Sequence, residues 1–125
     1  MTLRALHHAS FPVRDLERAR RFYGEVLGLE EIERPDLGFP GAWFRVGDAQ
    51  VHLLVTPPGV DVGAPPAALS PLAAHTAFAI DDYARVLAAL EAQGFAVLGT
   101  SVEIGQMWVQ DPDGHVIELT TARAR

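Results

Sequence analysis

Apolar and polar residues along this chain change period in a set order, and the order occurs twice. Residues 5–13 alternate, with His8 and Ser10 on one side of an extended segment and His7 and Phe11 on the other, as a half-buried strand requires. Asp15 then offers an N-cap, and Leu16, Ala19, Phe22, Tyr23, Val26 and Leu27 recur at helical spacing until Gly28, which predicts an amphipathic helix. Residues 29–33 read as a second strand, 34–41 as a Pro/Gly-rich loop, and 42–46 with 50–55 as a hairpin turning at Gly47-Asp48. That turn sets Trp43 opposite His52 and Arg45 opposite Gln50, all on one side of the sheet.

Residues 56–71 interrupt the periodicity. They hold five of the nine prolines, including Pro57-Pro58 and Pro65-Pro66, and read as a semi-rigid connector. The first pattern then returns. Residues 74–80 form a strand carrying His75, Asp81 or Asp82 caps a helix with Tyr83, Val86, Leu87 and Leu90 inward, and Gly94 ends it. Residues 95–98 and 107–110 are two further strands, and the turn Asp111-Pro112-Asp113-Gly114 feeds a last one. In that strand Glu118 is the one carboxylate of an apolar run, on the side of Val116 and Thr120 and opposite Ile117 and Leu119. It points into an enclosed space or onto solvent; enclosed, it is costly unless paired or bound to a metal.

The two halves superimpose as a repeat. The segment from His8 to Asp15 lies over that from His75 to Asp82 at an offset of 67, and Val51-His52-Leu53-Leu54 lies over Ile117-Glu118-Leu119-Thr120 at an offset of 66. The repeat therefore makes His8 equivalent to His75 and His52 to Glu118. A lone histidine in a strand is commonly just a packed residue. Four N/O donors at matching places in two repeats instead suit the first shell of a divalent transition metal with one or two open positions. His7, on the opposite side by alternation, and His115, beside the turn, read as structural.

Composition narrows the chemistry. With 125 residues, 49% of them hydrophobic, the chain fits a single domain (1–125), divided into a first module at about 3–55, the connector at about 56–71 and a second module at about 72–122. A net charge of −6 argues against nucleic-acid or anionic-membrane partners and for a small-molecule substrate. No long apolar run is present and the first residues lack the apolar stretch of a signal peptide, so the expected location is cytoplasmic. The chain has no cysteine, and all ten basic residues are arginine. Thiolate chemistry, disulfides, Schiff bases and a phosphate-loop lysine are thereby excluded, leaving histidine, carboxylate and arginine.

The run from Leu6 to Leu16, then Phe22-Tyr23 with Val26-Leu27-Gly28-Leu29, then His75 to Ile80, then Asp111 to Glu118, resembles the vicinal oxygen chelate superfamily. This group includes glyoxalase I, fosfomycin-resistance enzymes, methylmalonyl-CoA epimerase, extradiol dioxygenases and bleomycin-sequestering proteins. The resemblance covers nearly the whole chain. It implies an α+β fold of two tandem βαβββ modules whose curled mixed sheets surround a metal cup. It also implies His8, His75 and Glu118 at the three usual ligand positions, and His52 where glyoxalase I and the epimerase carry a fourth ligand. The metal would be one divalent ion per site, zinc, nickel, cobalt, manganese or iron.

The activity so implied is that of a lyase, isomerase or epimerase acting on a small oxygenated substrate through a metal-stabilised enolate. Glu118 is the expected base and His52 the second candidate. Arg45 would hold a substrate carboxylate, Trp43 and Met107 would form an apolar wall, and Ser10 shares the face of His8. Bacterial glyoxalase I carries an arginine and an asparagine where this chain has Pro12 and Thr56, which argues against glutathione. Two alternatives stand beside this reading. One is an Fe(II)-dependent dioxygenase, which uses two histidines and a carboxylate but for which His52 occupies a needed position. The other is a non-catalytic binding or resistance protein holding a planar ligand between Trp43, Trp108 and Phe44. The expected assembly is a homodimer, with a site shared between subunits.

Overall fold

The computed structural model describes residues 1–121. Strand β1 (His8–Val13) leads to Asp15, whose carboxylate accepts the Arg18 amide at 3.1 Å and starts helix α1 (Leu16–Arg20). This helix runs on as a π-helical turn (Arg21–Val26), with Leu27 N–H reaching Phe22 O at 2.9 Å, before Gly28 takes φ 74°. The widened turn departs from the expected α spacing: Ala19, Phe22 and Tyr23 are buried, whereas Val26 and Leu27 are only half-buried. Strands β2 (Glu30–Ile32), β3 (Gly41–Val46) and β4 (Ala49–Val55) complete a sheet of order β1-β4-β3-β2. β1 is parallel to β4 and the other pairs are antiparallel. Gly47, at φ 54°, makes the two-residue turn, and the pairs Trp43↔His52 and Arg45↔Gln50 are those expected.

The second half repeats this order. β5 (His75–Ala79) leads to Asp82, the cap of α2 (Tyr83–Ala92), which accepts the Arg85 amide at 3.1 Å. β6 (Leu98–Gly99), β7 (Gln106–Gln110) and β8 (Val116–Thr120) follow, in sheet order β5-β8-β7-β6 with β5 parallel to β8. Each half is thus a βαβββ module with a four-stranded mixed sheet. Two compact units divide between Gly63 and Ala64, inside the proline-rich connector. The expected end of the second module, Ala122, lies outside the described residues.

Two strand assignments shift. β1 begins at His8, not at residue 5, because its partner β4 begins only at Ala49 and offers residues 5–6 nothing to pair with. The strand expected at 95–98 is Leu98–Gly99, since Phe95 N–H is bonded to Leu90 O at 3.1 Å and is still part of the helix end.

Alternation divides each sheet into a core face and an opposite face. In module 1 the core face carries Phe11, Val13, Ala42, Phe44, Val51 and Leu53, all buried, with Ala19, Phe22 and Tyr23 from the helix. The Tyr23 ring stacks on Phe11 at 5.4 Å and meets Phe44 at 6.5 Å. In module 2 Met107, Val109, Ile117 and Leu119 take the same role. Because the helices supply one apolar cover, the functional candidates collect on the other face of each sheet.

Candidate metal-binding faces

In module 1 the register aligns His8, Ser10 and Pro12 of β1 with Gln50, His52 and Leu54 of β4, and these with Arg45, Trp43 and Gly41 of β3. Three rings form a stack on that face. His52 lies 4.0 Å from His8 at 17° and 4.2 Å from Trp43 at 6° between planes. Its Nε2 donates to Gln50 Oε1 at 2.8 Å, which leaves Nδ1 with the free lone pair. Burial, and after it the charges of His8, His7 and Arg34, hold His52 below its ordinary pKa, so the ring is kept in the neutral form that ligates metals. Ser10 and Arg45 are on this face and exposed.

His7 departs from expectation. Its Nδ1 is 2.9 Å from His8 Nδ1, so one ring donates to the other. Residue 7 precedes the strand, where alternation no longer dictates direction. The bond gives His8 an orienting partner.

In module 2 His75 and Glu118 meet directly. His75 Nδ1 donates to Ala73 O at 2.7 Å, and Nε2 faces Glu118 Oε1 at 3.0 Å. Both acceptors are satisfied by a proton on each nitrogen, or by a proton on Nδ1 and a cation at Nε2. Glu118, 7% exposed, also accepts the Trp108 indole N–H on Oε1 at 3.0 Å and the Gln106 amide on Oε2 at 3.2 Å. This buried carboxylate therefore has partners on both oxygens, as its burial demands.

Met107 is not a wall of this face. It pairs with Leu119 and is fully buried on the core side, whereas Trp108 pairs with Glu118. The expected assignment missed the register, which a five-residue loop sets: Asp111 Oδ1 accepts the Asp113 and His115 amides, both at 2.9 Å, and β7 and β8 close at Gln110↔Val116. Counting back from that pair brings 108, not 107, opposite Glu118. Gln106 carried no chemical signal until the partner strand was aligned, whereas Gln50 and Trp108, already placed on the histidine side and among the planar-ligand candidates, gain their hydrogen bonds to His52 and Glu118 only in the structure.

The donors suit a divalent ion in kind: imidazoles and a carboxylate, with His75 held by a backbone carbonyl through its far nitrogen, as metal-ligating histidines usually are. Among the described residues, no three histidine, cysteine or carboxylate groups stand together as a complete shell. Each module presents a pair, hydrogen-bonded at His75 and Glu118 and ring-stacked at His8 and His52.

Module 1 also contains a cavity of about 230 Å³ lined by Pro12, Phe39, Leu54, Val55, Thr56, Pro57, Val60 and Val62. Pro12 and Leu54 belong to the histidine face. No helix among the described residues is long and apolar enough to cross a membrane.

Comparison with solved structures gives relatives of the same size. A glyoxalase family protein from Bacillus anthracis is 29% identical with a TM-score of 0.75, covering 95% of both chains. The fosfomycin resistance protein FosX from Mesorhizobium loti is 26% identical with a TM-score of 0.73, covering 98% of this chain and 94% of its own. An antibiotic-binding protein from a Streptomyces species is 28% identical with a TM-score of 0.72, covering 96% and 97%. Comparison with curated proteins gives no match. The sequence fits the profile of one family over residues 5–119, and the duplicated βαβββ modules have the fold of its solved members. On both grounds the chain belongs to the glyoxalase/bleomycin resistance protein/dioxygenase superfamily.

Proposed function

We propose that the chain is a divalent-metal-dependent enzyme of glyoxalase type, a lyase, isomerase or epimerase acting on a small oxygenated substrate. The observation that carries this reading is the His75–Glu118 pair, with Nδ1 committed to Ala73 O and Nε2 turned to the carboxylate, with His8 and His52 at the equivalent positions of the first module. His8, His52, His75 and Glu118 would hold the ion. When bound, zinc, nickel, cobalt, manganese or iron supplies Lewis acidity at adjacent substrate oxygens.

Glu118 then takes the proton alpha to a carbonyl, and Trp108 and Gln106 keep its carboxylate oriented while it does so. His52, neutral and held by Gln50, is the second base. Trp43 provides a flat apolar surface, Ser10 a hydroxyl, and Arg45 an exposed cation on the same face. Pro12 and Thr56, standing where bacterial glyoxalase I carries an arginine and an asparagine, favour a substrate other than a glutathione adduct.

Metal content and affinity test the ligand set. His8→Ala, His75→Ala and Glu118→Ala should each weaken metal binding by roughly tenfold or more. Wild-type affinity in any one of them removes that residue from the set. Activity follows from assays of the methylglyoxal–glutathione hemithioacetal, other 2-oxo or 2-hydroxy carbonyl compounds, and catechols; turnover of a catechol with iron would favour the dioxygenase alternative. A second reading, a non-catalytic binding protein, is favoured by the apolar cavity and by similarity to an antibiotic-binding protein. It predicts saturable binding of an apolar ligand without metal and without turnover.

A further inference from the structure

We infer that module 1 carries, beside its histidine pair, a subsite for a small carboxylate with an apolar chain, formed by the Arg34 guanidinium and the cavity under Phe39. The inference extends the proposed function by naming a substrate class, although the binding it describes needs no metal.

The sheet register places Arg34. Ile32 lies opposite Trp43, so two residues further along the chain Arg34 falls over Gly41, on the face of Trp43 and His52. A Cβ at Gly41 would stand 2.9 Å from both Nε and Cζ of Arg34, so the bare backbone there is the bed on which the guanidinium lies. The guanidinium also lies over the Phe39 ring, 4.8 Å from Cζ to its centroid, and Phe39 O accepts Nη1 at 3.0 Å. Nε and Nη2 remain, shielded from solvent and without a hydrogen-bond partner.

Those two nitrogens form one edge of the planar group, the edge that grips both oxygens of a carboxylate. Leaving two donors of a buried cation unpaired is unfavourable, and an acceptor with two oxygens relieves both together. Phe39 belongs both to the stack on Arg34 and to the cavity wall, and Leu54, which also lines the cavity, pairs with Gly41.

The cavity wall selects among anions. Apart from Thr56 its lining side chains are Pro, Phe, Leu and Val, which suit a short hydrocarbon chain or a single ring. A phosphate would satisfy the same edge but would turn its remaining oxygens to a wall without enough donors. Entry requires Phe39 to swing off the guanidinium; it lies on the loop between β2 and β3 and is 38% exposed.

The test titrates metal-free protein with hexanoate and benzoate, followed by Trp fluorescence and calorimetry. Wild type should bind both, Arg34→Lys about tenfold more weakly, and Arg34→Leu not detectably, with melting curves showing that the variants fold. Val60→Asp should also lose binding, and hexanol and inorganic phosphate should not compete. His8→Ala and Glu118→Ala should bind hexanoate as wild type does, so failure of the metal reading leaves this result intact. Equal binding by wild type and Arg34→Leu, equal competition by phosphate, or no binding at millimolar ligand would each overturn the subsite.

Discussion

His52 links chemistry and stability in one side chain. It is 7% exposed, stacked between His8 and Trp43, and held below its ordinary pKa of about 6.5 by burial first and by nearby positive charge second. The unfolded chain restores the ordinary value. Between the folded value and about 6.5 the unfolded state therefore binds more protons, so stability rises with pH across that window and is level above it. In metal-free protein, the stability difference between wild type and His52→Phe, which keeps an aromatic ring in the stack, should be constant above about pH 7. It should shift against wild type as pH falls below about 6.5. Urea titrations from pH 5 to 8 measure this, and a difference independent of pH would show that the ring is not held neutral by the fold.

At the scale of the element, each module depends on one capping aspartate. Asp15 and Asp82 both accept the amide three residues on, and each directs a helix back across its sheet. The helix faces they set are Ala19, Phe22 and Tyr23 in one module and Tyr83 and Leu90 in the other. Asp82→Ala should cost about 1 kcal/mol of folding free energy, within the usual range of roughly 0.5–2 kcal/mol for a lost cap. Chemical denaturation would read this as a lower midpoint with an unchanged slope. A change below about 0.2 kcal/mol would mean that packing of Tyr83 and Leu90, not the cap, sets the start of the helix.

For the whole molecule, duplication puts His8 with His52 and His75 with Glu118 at equivalent places, and the ligand set we propose takes one pair of each kind. Our proposal is a two-fold homodimer in which the first module of one subunit meets the second module of the other. Mixing metal-free His8→Ala with metal-free Glu118→Ala should then restore metal binding toward half the wild-type number of sites, since subunit exchange rebuilds one intact site. No recovery, with exchange verified by differently labelled subunits, would place the whole shell within one chain.

Period and punctuation were enough for the sequence to determine the duplicated order of strand, helix and three strands, the Asp15 cap, and the hairpin pair Trp43↔His52, while the choice of Asp82 over Asp81 as the second cap came from the structure. These are local: a two-residue glycine turn leaves one register, and an aspartate before an apolar helical face leaves one start. The donor equivalence of His8 with His75 and of His52 with Glu118 was also legible, because a repeat preserves position even where residue type changes. Tertiary structure alone decided what surrounds those donors. The five-residue loop before β8 put Trp108, not Met107, beside Glu118, and the end of β4 turned His7 onto His8. Gly41 became the bed for Arg34 only when β2 aligned with β3. Alternation says which side of a strand a residue takes, but the neighbour it meets there depends on the offset between strands, and that offset is fixed only when the sheet forms.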